Sequence, residues 1–236
     1  MSTTRAVFAS PEALQAALVD EMSAAAAAAI AARGRFTVAL TGGSAASALY
    51  PALLRANLAW DAVHVFFGDE RSVPPEHPES NHRVAMHTFL GQAPSSSAQV
   101  HRIAGEADPT AAAAAAERAL LATTDGTGCV DVVHLGLGPD GHVASLFPGH
   151  ALLRDEVRLY APITDAPKPP PARVTLTMQA LSRARSVWFL VVGASKADVV
   201  RDVILDPGCM LPAAQVARRA ASVRWLLDND AAKYLK

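Results

Sequence analysis

Residues 130–149 read Val130-Asp131-Val132-Val133-His134-Leu135-Gly136-Leu137-Gly138-Pro139-Asp140-Gly141-His142-Val143-Ala144-Ser145-Leu146-Phe147-Pro148-Gly149. The first six residues form a short, nearly continuous apolar run, as expected of a strand covered on both faces. Glycine then recurs at 136, 138 and 141, so the chain leaves the strand through a tight bend. Those three glycines satisfy the GxGxxG pattern of dinucleotide-binding loops. Pro139 lies inside the pattern, however, and Pro148-Gly149 ends any helix after about two turns, whereas a dinucleotide unit needs a longer crossover helix. The bend instead projects Asp140 and His142 from the end of a strand. Imidazole titrates near neutrality and can take a proton from water. A neighbouring carboxylate can fix its tautomer and stabilise the charge that develops. A histidine that merely caps a helix or contacts backbone is the alternative.

Outward from this stretch, further apolar runs at 36–40, 63–67, 158–163, 173–177, 187–192 and 222–226 read as strands. Helical patterns lie between them. Ser10-Pro11-Glu12 opens the first, with Ser10 as N-cap and Pro11 at the first position, and Gly34 ends it after about Ala32. Others are expected over 44–55, 80–90, 109–123, 196–205 and 230–235. The polyalanine runs at 24–29 and 111–116 fall inside helices, where alanine has the highest propensity. Loops are expected at 68–79, 91–99 and 164–172. The alternation predicts an α/β fold, a mostly parallel sheet with helices on both faces, in one domain over residues 1–236.

Three more stretches carry chemistry. Thr41-Gly42-Gly43-Ser44 joins a strand to a helix, where glycines allow close approach and free N–H groups favour an anion. It lacks the GxxxxGK[ST] pattern, and Ala46 replaces the second glycine of a GxSxG elbow. Gly68-Asp69-Glu70-Arg71 ends another strand. Arg71 offers a planar fork for phosphate, Asp69 can orient a hydroxyl or a protonated group, and Ser80-Asn81 can fold back over the site. Gly193-Ala194-Ser195-Lys196 opens a helix and places Lys196 as a point charge for the same phosphate. Each is also compatible with an ordinary turn or a solvated charge.

The composition sets limits. Hydrophobic residues make up 51% of 236 and charged residues 18%, which describes a folded globular chain. With 21 basic and 22 acidic side chains the net charge is −1, giving no basic excess for nucleic acid or an anionic membrane. An anionic ligand therefore needs a local cationic cluster. Cys129 and Cys209 form no metal pattern and suit a reducing compartment. The first nine residues hold no apolar signal core, and no stretch approaches about 20 strongly apolar residues. His82 and His87 are five apart, unsuited to one helical metal face, and no HExxH occurs, so no metal is expected. His64 and His134 read as satisfied core histidines within apolar strands.

Taken together, Gly42-Gly43-Ser44, the Gly68–Arg71 block with Ser80-Asn81, the run around His142, Lys168-Pro169-Pro170-Pro171-Ala172-Arg173-Val174-Thr175-Leu176-Thr177 and Gly193–Lys196 resemble the 6-phosphogluconolactonase family. The resemblance covers nearly the whole chain. It implies a Rossmann-like three-layer sandwich of the sugar-phosphate isomerase/deaminase type, and hydrolysis of 6-phospho-D-glucono-1,5-lactone in the oxidative pentose phosphate pathway. It also implies no cofactor, His142 as base, and Arg71 and Lys196 on the substrate phosphate. With these go Gly42, Gly43, Ser44 and Asn81 as further substrate contacts, Asp140 or Asp69 to orient the imidazole or the sugar hydroxyls, and Lys168 or Arg173 as candidate oxyanion donors beside backbone N–H groups. The expected partner is a phosphorylated sugar lactone, the compartment cytoplasmic, and the assembly a monomer or weak homo-oligomer. A sugar-phosphate deaminase or isomerase, or a non-catalytic sugar-phosphate sensor, is the rival reading.

Overall fold

The computed structural model describes residues 2–93 and 99–235. Part of the loop expected at 91–99 therefore lies outside the described residues.

Seven strands form a parallel sheet: β1 (Ser2–Phe8), β2 (Phe36–Leu40), β3 (Val63–Phe67), β5 (Gln99–Val100), β6 (Val132–Leu135), β9 (Ser186–Val191) and β10 (Ser222–Asp228). Their spatial order is β1-β10-β9-β6-β2-β3-β5, every neighbouring pair parallel. The three central strands β9, β6 and β2 are buried almost throughout, which requires cover on both faces. Trp225 of β10 stacks on Phe189 of β9 with ring centroids 3.9 Å apart. A second, antiparallel sheet holds β4 (Asp69–Arg71), β8 (Arg173–Leu176) and β7 (Tyr160–Ile163). The apolar runs at 158–163 and 173–177, expected in the main sheet, belong to this smaller one.

The helices are α1 (Pro11–Arg33), α2 (Gly43–Leu49), α3 (Asn81–Ala85), α4 (Pro109–Thr123), α5 (Met178–Arg183), α6 (Ala197–Leu205) and α7 (Pro212–Arg219). Ser10 accepts a hydrogen bond from the Ala13 N–H, and Gly34 closes α1 at φ 71°. By length and composition α1 could cross a bilayer, contrary to the sequence expectation. Its Leu14, Leu18, Met22, Ala26 and Ala29 are buried instead, against β2, β10 and neighbouring segments.

Other boundaries shifted for local reasons. The helix expected over 44–55 ends at Leu49, and a 3₁₀ turn carrying Pro51 follows. The one over 80–90 passes from α3 into a wide π turn that closes with Gly91 N–H on the Met86 carbonyl. A β-carbon on Gly91 would lie 2.7 Å from that oxygen, so the closure needs glycine. Residues 230–235 form hydrogen-bonded turns rather than a helix. Residues 194–196 form a 3₁₀ turn ahead of α6.

β2 and β6 lie side by side, yet the chain leaves them in opposite directions. From β2 it proceeds to β3, and after β6 it enters the sheet again at β9 on the other side. Their C-terminal ends thus open a crevice at a switch in strand order, the place where open α/β sheets bind ligands.

Candidate active site

The crevice is an open, polar cleft of about 160 Å³. Gly42, Gly43 and Ser44 after β2, Asp69 and Arg71 on β4, Asn81 at the start of α3, His142, Arg173 and Lys196 all line it. Residues from six separate stretches of sequence therefore share one cavity. Asp140 and Lys168 do not form its wall. They meet it through His142.

His142 Nδ1 and Asp140 Oδ1 are 2.5 Å apart. An ionised carboxylate only accepts, so Nδ1 carries the hydrogen and the other ring nitrogen, Nε2, keeps its lone pair. Burial pushes the imidazole below the ordinary histidine value, Asp140 and Asp69 oppose this, and Lys168 adds to it. Burial works against ionising Asp140, but hydrogen bonding to His142 and Lys168 holds its carboxyl down at about 2. Gly138 makes the pair possible: its backbone passes so close that a β-carbon would lie 2.0 Å from His142 Nδ1 and 2.5 Å from Asp140 Oδ1. Gly138 N–H donates to the His142 carbonyl at 3.0 Å, closing the bend. Ala144, also on the cleft wall, is held at φ 48°, a left-handed conformation that strains a residue with a β-carbon.

Of the two carboxylates considered for orienting the imidazole, Asp140 is the one that touches it. Asp69 is engaged elsewhere. Its Oδ2 accepts from Ser145 Oγ at 2.7 Å and its Oδ1 from Asn81 Nδ2 at 2.9 Å. Asn81 in turn occupies the space above Gly42, where a β-carbon would lie 1.8 Å from its Oδ1. That oxygen has no hydrogen-bond partner among the described residues.

Glu70 faces away from the cleft and holds the segment together. It is 2% exposed, and its carboxylate accepts from the backbone N–H groups of Arg71, Asn81 and His82 and from Ser80 Oγ, at 2.8–3.0 Å. Burial raises its pKa while those four donors oppose the rise. The charge triplet alone gave no sign of this division of labour. It follows from β4, which falls within the stretch expected as a loop: Asp69 and Arg71 share one face and Glu70 takes the other.

Arg71 and Arg173 stand directly opposite each other across β4 and β8. Like charges in that register repel. Arg173 is largely committed to protein: Nε donates to the Pro170 carbonyl at 3.0 Å, Nη2 to the carbonyls of Lys168 and Pro169 at 3.0 and 3.1 Å, and Nη1 to Ser145 Oγ at 3.5 Å. Among the described residues these bonds use four of its five N–H groups, so one N–H remains to meet an oxyanion. Arg71 Nη1 donates to the Glu79 carbonyl, and its buried Nε has no partner among the described residues. Lys196 has its pKa lowered by burial and then by Lys168.

Sequence reading missed Thr41 and Ser145, which tie the loops together. Thr41 Oγ1 accepts from Gly136 N–H at 3.2 Å, linking the β2 and β6 bends. A short hydroxyl residue beside a glycine bend was the available signal. His134 is fully buried between Tyr50 and Trp188, and burial depresses its pKa to about 3. Its Nδ1 meets the Tyr50 hydroxyl at 3.4 Å, but Nε2 has no partner among the described residues, so it is only half satisfied. His64 is half-buried and its Nδ1 lies 3.1 Å from His101 Nε2. Among the described residues no three histidine, cysteine or acidic side chains gather as a metal site.

Fold and cleft together define a parallel α/β protein with a histidine–aspartate pair facing a cationic crevice. The profile of glucosamine-6-phosphate isomerases/6-phosphogluconolactonase matches residues 9–225, and the chain belongs to that family. The 6-phosphogluconolactonase of Mycobacterium tuberculosis is 39% identical over 247 residues, covering 100% of this chain and 99% of that protein. The Rattus norvegicus 6-phosphogluconolactonase is 39% identical, covering 97% and 92%. The solved 6-phosphogluconolactonase from Trypanosoma cruzi superposes with a TM-score of 0.86 at 28% identity, covering 100% and 98%. A monomeric glucosamine-6-phosphate deaminase shares the fold at a TM-score of 0.81 and 20% identity, covering 99% of each chain.

Proposed function

We propose that this chain hydrolyses 6-phospho-D-glucono-1,5-lactone to 6-phospho-D-gluconate. The observation that carries the reading is that His142, paired through Nδ1 with Asp140, faces the same cleft as Arg71 and Lys196. One domain over the whole chain suffices, since both sheets contribute to that cleft. The free thiols Cys129 and Cys209 fit a reducing, cytoplasmic setting.

Arg71, Lys196 and the Gly42-Gly43-Ser44 turn hold the 6-phosphate. Binding energy from that remote group positions the lactone carbonyl. His142 Nε2 takes a proton from water as the oxygen attacks the carbonyl carbon. The tetrahedral oxyanion collapses, the ring C–O bond breaks, and the alkoxide leaving group takes the proton back from Nε2. Asp140 stabilises the imidazolium between these two transfers. Asp69, locked by Ser145 and Asn81, stands ready to accept from a sugar hydroxyl.

The test is acid release from the lactone in a pH-stat, with the spontaneous opening subtracted. Enzyme-dependent release supports the reading. Ammonia from glucosamine 6-phosphate without lactone turnover would favour a deaminase, and tight 6-phosphogluconate binding without turnover a sensor.

A further inference from the structure

We propose that Lys168 is a positioning residue for the His142–Asp140 pair, holding the carboxylate in place and keeping the imidazole in its neutral, basic form, rather than a ligand of the phosphate. The inference deepens the lactonase reading and rests on it for its kinetic consequence only.

Lys168 Nζ lies 3.1 Å from Asp140 Oδ2, while Asp140 Oδ1 takes His142 Nδ1. The carboxylate thus divides between two cationic or potentially cationic partners. Lys168 Nζ is also 3.3 Å from His142 Nδ1. That contact is no hydrogen bond, because Nδ1 already bears the hydrogen that Asp140 accepts and has no lone pair to offer. It sets an ammonium against the ring. When Nε2 gains a proton, the imidazolium charge forms beside that ammonium and is disfavoured. Asp140 stabilises the charged ring and so favours a proton on Nε2 at rest. Burial opposes this most strongly, and Lys168 adds to that opposition.

The placement of Lys168 is not left to a free side chain. The Arg173 guanidinium grips the carbonyls of Lys168, Pro169 and Pro170 in succession, and Arg173 itself lies 5.7 Å over the Phe147 ring that packs against His142. Asp69 from β4 also acts on the imidazole and favours the imidazolium, while Lys196, on the same cleft, is coupled to Lys168 and Asp140. A phosphate dianion arriving at Lys196 would offset part of this positive field, so the base would strengthen as substrate binds.

The test is an NMR titration of the His142 Cε1–H in the full chain, assigned by its disappearance in His142→Gln, for the wild type, Lys168→Met and Lys168→Arg. The expected result is a midpoint displaced upward in Lys168→Met and close to wild type in Lys168→Arg. The acid limb of kcat/KM for the lactone should move upward with it while KM changes less than twofold. An unmoved midpoint in Lys168→Met overturns the proposal. An unmoved midpoint with KM raised tenfold or more assigns the lysine to the phosphate instead. The titration needs no turnover, so a wild type inactive on the lactone would remove the functional reading while leaving the effect of Lys168 on the imidazole measurable.

Discussion

The imidazole of His142 occupies the space beside Gly138 that any larger residue would claim: a β-carbon at 138 falls 2.0 Å from Nδ1. The glycine is therefore a steric condition for the histidine–aspartate pair, independent of the backbone freedom that glycine usually supplies at a bend.

Gly138→Ala should then behave as a catalytic lesion. The methyl group must displace His142 or Asp140, and turnover should fall by about 10²–10⁴-fold, the range of acid–base catalysis. Circular dichroism should show the sheet intact. Near-wild-type kcat would mean that the pair is not needed as placed.

Much of this arrangement could be read from residue order alone. The strand at 130–135 and the glycine bend announced a strand end that opens on the cleft, and residues 41–44, 68–71 and 193–196 each followed an apolar strand. What stayed hidden was non-local. β1 is a largely exposed edge strand of mixed composition, so it carries no burial pattern. β4 is three charged residues that become a strand only because β8 pairs with them. Arg173 reads as a phosphate or oxyanion cation until its loop carbonyls are in view.

Arg71 offers its fork to the cleft from β4, so Arg71→Ala should act on binding. One lost charge-assisted contact is worth about 1.5–3 kcal/mol, or roughly a 10- to 150-fold rise in KM, with kcat changed less. Steady-state kinetics with the lactone would show it. An unchanged KM would count against the phosphate cradle.

Glu70 should matter for stability more than for chemistry. Replacing it by Gln turns one acceptor into a donor facing donors already in place, at a cost of about 2 kcal/mol. Urea unfolding of Glu70→Gln would measure this, and stability equal to wild type would refute the staple role.

Acid stability should report His134. Its folded-state pKa, about 3, lies well below the value near 6.5 of an exposed histidine. As pH falls below about 6.5 the unfolded chain binds a proton that the folded chain refuses, so stability declines until pH nears the folded value. His134→Gln removes that proton-binding site. Its melting temperature should fall less steeply between pH 7 and 4.5 than that of the wild type. Identical slopes would show that His134 does not contribute.

The most direct measurement is the initial rate of 6-phosphogluconolactone hydrolysis by wild type and His142→Asn at equal concentration, after subtraction of the spontaneous rate. The structure predicts a rate well above background for the wild type and a loss of about 10²–10⁴-fold for the variant, with 6-phosphogluconate still bound. A variant that turns over like the wild type would contradict His142 Nε2 as the base.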